Sequence, residues 1–250
     1  MEKKQSPLKQ GPRRSAGQSL QDQLNQLRDD WMEKGAFAAL ALALMAMTLV
    51  QSLLRKPLNP MATAIICAPL LGYSIWGIYR LRRKIRNLKQ GLAGEQIVAE
   101  HLDNLRVHGY HIFHDLIGEQ FNLDHVLVGP AGIFTLETKT WSKAKRESIA
   151  TDGEQIWKNG VKLNPNPIDQ AKAQARWMYH LVKELTDQNV FVQPIVLFPG
   201  WWVECKLPDP KTPVLNPGQL EHLLKNLPVR LNQENIAFIS KRLEFVARTK

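Results

Sequence analysis

Two apolar stretches dominate the first third of the chain. Gly35 to Leu54 is twenty residues without a charge, and Met61 to Tyr79 is a second uncharged run broken by Pro69. About twenty such residues span the hydrocarbon core of a bilayer as a helix. Tyr73, Trp76 and Tyr79 close the second run with aromatics suited to a membrane interface. A short turn, Arg55-Lys56-Pro57-Leu58-Asn59-Pro60, separates the runs, so the pattern predicts a transmembrane helical hairpin. Pro69 is expected to kink its second helix, which lipid tolerates better than water does.

After Gly91 the pattern becomes that of a water-soluble α/β domain. Leu92, Ile97, Val98, Leu102 and Leu105 recur at helical spacing and predict a helix over 92–107, stopped at His108-Gly109-Tyr110. His111–Ile117 reads as a first strand. Ser148–Ile156 reads as a strand and turn through Asp152-Gly153, with Trp157 packing on the sheet, and Asn159-Gly160 is a hairpin signal. Asn164-Pro165-Asn166-Pro167 opens a helix from Ile168 to about Thr186, with a core stripe of Ala171, Ala175, Met178, Leu181, Val182 and Leu185. Val190–Phe198 is a strongly apolar strand whose Pro194 belongs at an edge or bulge, unless its missing N–H faces away from a neighbour. Trp201-Trp202-Val203 extends the sheet or forms a small exposed patch, and Val214-Leu215 is a candidate last strand. Pro217–Leu227 and Asn232–Arg248 read as two short helices packed on the domain.

Between these elements lies an apolar ribbon, Leu123 to Lys139, folded at Gly129-Pro130-Ala131-Gly132. Proline suits the second position of a tight turn and glycine tolerates unusual dihedrals beside it. If Gly129 pairs with Gly132, paired positions sum to 261 and Asp124 stands opposite Glu137. Glu137 and Lys139, two residues apart, share one face of their strand. The turn thus gathers two carboxylates and an amine at the far end of the ribbon. Adjacent carboxylates are unfavourable unless a proton, a lysine or a divalent metal offsets them. Hard oxygen ligands suit Mg²⁺ or Mn²⁺. Alternatively the three residues form a solvated strand end with an ordinary salt bridge.

Asp-x12-Glu-x-Lys on a hairpin resembles the metal site of the PD-(D/E)xK nuclease superfamily. The wider run, Gly94-Glu95, Asn122-Leu123-Asp124-His125, Glu137-Thr138-Lys139 and Asn166-Pro167-x-x-Gln170, resembles the nuclease-related domain called NERD. The resemblance covers about residues 91–200, with Leu123 where the superfamily name has proline. It implies an α/β fold, a restriction-endonuclease-like mixed sheet flanked by helices, and a divalent-metal-dependent nuclease of DNA or RNA. Asp124 and Glu137 would hold Mg²⁺ or Mn²⁺, and Lys139 would orient the attacking water. Glu95 would be a third carboxylate near the metal, direct or through water, and Gln170 would touch the scissile phosphate or orient Lys139. Read from the residues alone, Glu95 favours the start of its helix through the helix dipole, and Gln170 is a capping side chain. Trp141, Lys143, Lys145 and Arg146 follow the site and form either a nucleic-acid contact or an ordinary loop. His125 points away from Asp124 and is read as structural. A fold kept only to bind nucleic acid or a protein partner at the membrane is the alternative function.

Charge refines the organisation. The chain is +10 overall, with 15 Lys and Arg against 5 Asp and Glu in residues 1–90 and 18 of each in residues 91–250. The basicity belongs to the N-terminal segment and makes no case for a nucleic-acid groove in the soluble part. Arg28, Lys34, Arg80, Arg82, Arg83, Lys84, Arg86 and Lys89 flank the apolar runs outside the turn, against Arg55 and Lys56 within it. The positive-inside rule then puts both termini and the nuclease-like domain in the cytoplasm. The expected plan is a polar basic arm (1–34), two membrane helices (about 35–54 and 61–79) and a basic linker (80–90). The nuclease-like domain (91–200) and a C-terminal extension packed on it (201–250) complete it. Cys67 and Cys205 make neither a disulfide framework nor a zinc site, in keeping with a reducing compartment. Oligomeric state is left open.

Overall fold

The computed structural model describes residues 14–54, 60–118, 121–143, 147–207 and 210–249. Residues 55–59 of the turn expected at 55–60, and the cations Lys145 and Arg146, lie outside the described residues. The chain divides into two compact units, one of residues 19–90 and one of residues 91–250 joined by the segment ending at Gln18.

The first unit is built from two helices, α1 (Gln18–Leu53) and α2, which starts at Pro60. Both are long and apolar enough to cross a membrane. Phe37, Leu42, Leu49, Ile65, Ile66 and Ile75 point outward, as lipid-facing side chains do, while Ala41, Cys67 and Ser74 are buried. At Gly77 a Cβ would lie 2.7 Å from Lys34 Cδ, so a glycine is what lets the Lys34 stem lie there. Arg80 sits 4.6 Å from the Trp76 ring centre, a cation–aromatic pair where the apolar run ends.

Helix α2 runs from Pro60 to Asp103. Arg80–Gln90 is therefore helical. The Lys-, Arg- and Leu-rich sequence there has good helix formers and no proline, so a polar composition does not end the helix. A short 3₁₀ turn over Asn104–His108 follows, and Gly109 stops it in the left-handed region at φ 81°.

The second unit centres on a five-stranded sheet in the order β1-β2-β3-β7-β9. Its strands are β1 (His111–Ile117), β2 (Asn122–Gly129), β3 (Gly132–Thr138), β7 (Val192–Leu197) and β9 (Val214–Leu215). β1 to β3 are antiparallel neighbours, and β7 and β9 join in parallel, giving a mixed sheet. Gly129 pairs with Gly132 and His125 with Leu136, the register that the turn chemistry predicts. A Cβ at Gly129 would overlap the Tyr110 ring, so glycine is required there by packing as well as by the turn.

One face of the sheet (Phe113, Val126, Val128, Ile133) packs against α3 (Pro167–Thr186) and α5 (Gln233–Thr249) through Met178, Val182, Ile236, Ile239 and Leu243. The other face (Ile112, Leu127, Phe134, Leu136, Ile195) packs against the end of α2 and α4 (Pro217–Asn226) through Val98, Leu102, Leu105, Leu220 and Leu224. Period-2 alternation in the strands and helical stripes outside give this layered α/β arrangement. Both 201–250 helices pack on the domain. Asn166 caps α3, accepting from the Ile168 N–H with Pro167 at the first helical position, and Asn216 and Gln219 form a capping box on α4.

β7 is an interior strand, yet it contains Pro194. Val196 N donates to Pro213 O and Phe198 N to Leu215 O, so alternate amides face β9. Pro194 has that same parity, and β9 pairs only with Val196 and Leu197. Its missing N–H therefore faces the side where no strand lies. A second sheet, β6-β5-β4-β8, is made of β4 (Ile149–Thr151), β5 (Ile156–Lys158), β6 (Val161–Lys162) and β8 (Val203–Cys205). Asn159 (φ 53°) and Gly160 (φ 78°) turn β5 into β6, the left-handed pair an Asn-Gly hairpin uses. Val203 joins this second sheet, not the first.

Candidate functional site

The site forms where β2 and β3 run out of ladder. The last β2–β3 pair is His125 with Leu136. One step further in the same register stand Asp124 and Glu137. There the Asp124 side chain replaces the strand partner: its Oδ2 accepts the Thr138 N–H at 2.7 Å. Glu137, 3% exposed, accepts at both oxygens. Lys139 Nζ donates to Oε1 at 2.6 Å and Gln174 Nε2 donates to Oε2 at 2.6 Å. Lys139 Nζ also donates to Gln170 Oε1 at 2.9 Å. Two glutamines one helical turn apart on α3 thus serve the acid and the amine of one strand.

Glu95, on the last part of α2, completes an acidic group. Its carboxyl is raised to about 7, first by burial, then by the charges of Asp115 and Glu137, against a hydrogen bond from the Gly17 backbone. Asp124 is pushed well above the usual carboxylate range by desolvation first, then by Glu137 and Glu95, with the Thr138 N–H and Lys139 opposing. Gly94 lets the helix come this close. A Cβ there would overlap the Thr140 hydroxyl and lie 2.8 Å from its methyl carbon.

The linear pattern gives almost no signal for three features of this site. Gln174, 1% exposed, sits in the middle of the α3 core stripe and holds Glu137; its own Oε1 is buried without a partner. Its spacing of four from Gln170 is the only cue. Asp115, 3% exposed, has φ 50° and lies opposite Asp124 in the β1–β2 register, at the position missing between the pairs His114–His125 and Leu116–Leu123. Asp115, Asp124 and Glu137 therefore line up across three neighbouring strands. Arg14, more than a hundred residues away in sequence, neutralises Asp115 with Nε and Nη2 both 2.8 Å from Oδ2.

Around this set, Trp141 is half-buried with its ring on Phe198 at 4.9 Å, and its carbonyl accepts from Trp201 Nε1. Lys143 is exposed and sits 5.3 Å from the Trp201 ring centre. His125 is fully buried, its Nδ1 2.8 Å from His114 Nδ1. Burial, then the neighbouring His114, pushes it down to about 3, so it is neutral.

Chemically, the set is a cluster of hard oxygens whose mutual repulsion a cation would relieve. Among the described residues no three His, Cys, Asp or Glu side chains surround one metal position. One or two carboxylates with the remaining positions left to water or phosphate is, however, the donor set that Mg²⁺ takes. The residues fit such an ion and do not form a closed cage.

Comparison with curated proteins and with solved structures gave no match for the chain. A family comparison did. Residues 90–199, the span that carries Glu95, Asp124, Glu137, Lys139 and Gln170, match the family model NERD, so the chain carries a nuclease-related domain, consistent with the PD-(D/E)xK superfamily.

Proposed function

We propose that the chain is a membrane-anchored, divalent-metal-dependent nuclease that hydrolyses phosphodiester bonds of DNA, or of RNA, with its nuclease-related domain in the cytoplasm. The observation that carries this reading is the hydrogen-bonded set Glu137–Lys139–Gln170 beside Asp124. A domain that only bound a partner would have no use for mutually repelling acids beside an oriented ammonium.

In this reading Asp124 and Glu137 hold Mg²⁺ or Mn²⁺, with Glu95 directly or through water. The ion, when bound, supplies Lewis acidity toward a phosphoryl oxygen and a more acidic water. Lys139, partly exposed and anchored by Gln170, turns its ammonium toward the water and toward charge developing on phosphorus. Gln170 and Gln174 keep amine and carboxylate from drifting before substrate arrives. Trp141 and Lys143, with Lys145 and Arg146, lie next in the chain and would hold the nucleic-acid backbone. The apolar helices supply attachment to a bilayer, and the flanking cations favour cytoplasmic termini.

The test is incubation of the full chain, in detergent, with plasmid, single-stranded DNA and RNA, in Mg²⁺, Mn²⁺ or EDTA. Cleavage that needs metal and drops about a hundredfold or more in Lys139→Ala is expected. A chain that leaves all three substrates intact with either metal overturns the enzymatic reading and leaves a binding module. Addition of Mg²⁺ should also raise the melting temperature of wild type and not of Asp124→Ala.

A further inference from the structure

Away from the acidic site, a groove of about 760 Å³ opens beside β7, where β9 stops short. That volume lies within the range of small-molecule sites. Among the described residues four cations line it, Lys172, Arg176, Lys211 and Arg230, no carboxylate does, and of the four only Lys172 has a carboxylate partner, Glu154 outside the lining. Phe191, 59% exposed, stands in it with the Arg230 guanidinium 5.7 Å from its ring centre.

Each feature asks for something different from a ligand. Clustered cations without acids ask for an anion of more than one charge. An exposed phenyl ring backed by a guanidinium is a platform for a flat aromatic ring. A nucleoside phosphate carries both, a multiply charged anion and a planar base.

We infer that this groove is a nucleotide-binding site, taking a nucleoside phosphate either free or as a unit of a nucleic-acid strand. Its base stacks on Phe191, and its phosphates meet Arg176, Lys211 and Arg230. The site is separate from the acidic one. Helix α3 turns Gln170 and Gln174 to the carboxylates and Lys172, Ala175 and Arg176 to the groove. Along β7, the groove residues Val192 to Pro194 pair with Ile133 to Thr135, whereas Glu137 pairs with Val196. The inference therefore stands whether or not the acidic site cleaves phosphodiesters.

The experiment is equilibrium binding to the full chain in detergent, in EDTA to silence the acidic site. Two probes are used, a fluorescent adenosine triphosphate and a labelled single-stranded oligonucleotide. Phe191→Ala and Arg176→Glu, both at exposed positions, should each weaken binding about tenfold. Saturable, variant-sensitive binding of the triphosphate assigns the groove to free nucleotide; the same behaviour with the oligonucleotide alone assigns it to a strand. Failure of both probes to bind, or binding that Phe191→Ala and Arg176→Glu leave unaltered while their melting temperatures match wild type, overturns it.

Discussion

Gln174 donates from Nε2 to Glu137 Oε2 at 2.6 Å, inside the protein, while Lys139 holds the other oxygen of the same carboxylate. A glutamine in an otherwise apolar helix face thus fixes the orientation of the acid on β3. Its position is structural and functional at once, because a buried carboxylate with one bare oxygen would be unstable and badly aimed.

Gln174→Leu preserves shape and removes that donor. It should cost about 1–3 kcal/mol in chemical denaturation and lower metal-dependent cleavage, whereas Gln174→Glu should be worse on both counts by adding a like charge. Equal stability and activity in Gln174→Leu would remove the glutamine from the site.

The carboxyl of Glu95 gives a pH prediction. Raised from 4.5 to about 7, it stays protonated in the folded protein where the unfolded chain has already ionised. Its contribution to stability is present below pH 4.5 and is lost as pH rises through 7. The acids Asp115, Glu137 and Asp124 face it, with Arg14 on Asp115 as the nearby counter-charge. Glu95→Gln should therefore gain on wild type by about 3 kcal/mol between pH 4.5 and pH 8 in EDTA, measured by urea unfolding.

His125 works in the opposite direction. Its folded value of about 3 lies below the ordinary 6.5, so protons bind the unfolded chain first. Stability from this group is complete above pH 6.5 and is lost as pH falls toward 3. It faces His114, which burial also lowers and which Arg106 and Asp103 influence in opposite senses. Replacement by phenylalanine should flatten the acid limb of the stability profile by an amount on the order of 5 kcal/mol at its extreme.

Gly94 should tolerate nothing larger. Gly94→Ala drives a methyl into Thr140, one residue past Lys139. A loss of about 1–3 kcal/mol is expected, together with reduced cleavage as Glu95 and the strand end are forced apart. The double variant Gly94→Ala with Thr140→Ala should recover much of the stability, a coupling that a double-mutant cycle reads directly.

Orientation can be checked with the cysteines already present. Cys205 is exposed in the unit that also holds the nuclease-related domain, and Cys67 is buried in the unit of residues 19–90. A membrane-impermeant thiol reagent applied to intact cells should leave Cys205 unlabelled until the membrane is opened, if the domain is cytoplasmic. Labelling of Cys205 in intact cells would place the domain outside.

The linear pattern determined the hairpin of apolar helices, the register of the β2–β3 ribbon and most element positions. The reason is that each depends on neighbours in sequence: uninterrupted apolar length, a Gly-Pro-Ala-Gly turn, alternation, capping residues. It also brought Asp124, Glu137 and Lys139 together, because a two-residue turn leaves strand pairing no freedom. Tertiary structure alone decided which side chains surround them. Arg14 on Asp115 and Gln174 on Glu137 join residues 101 and 37 positions apart, and no local periodicity encodes such a meeting. It also decided that Pro194 could sit in an interior strand, since β9 ends before reaching it. The same short reach of β9 leaves open the groove beside Phe191.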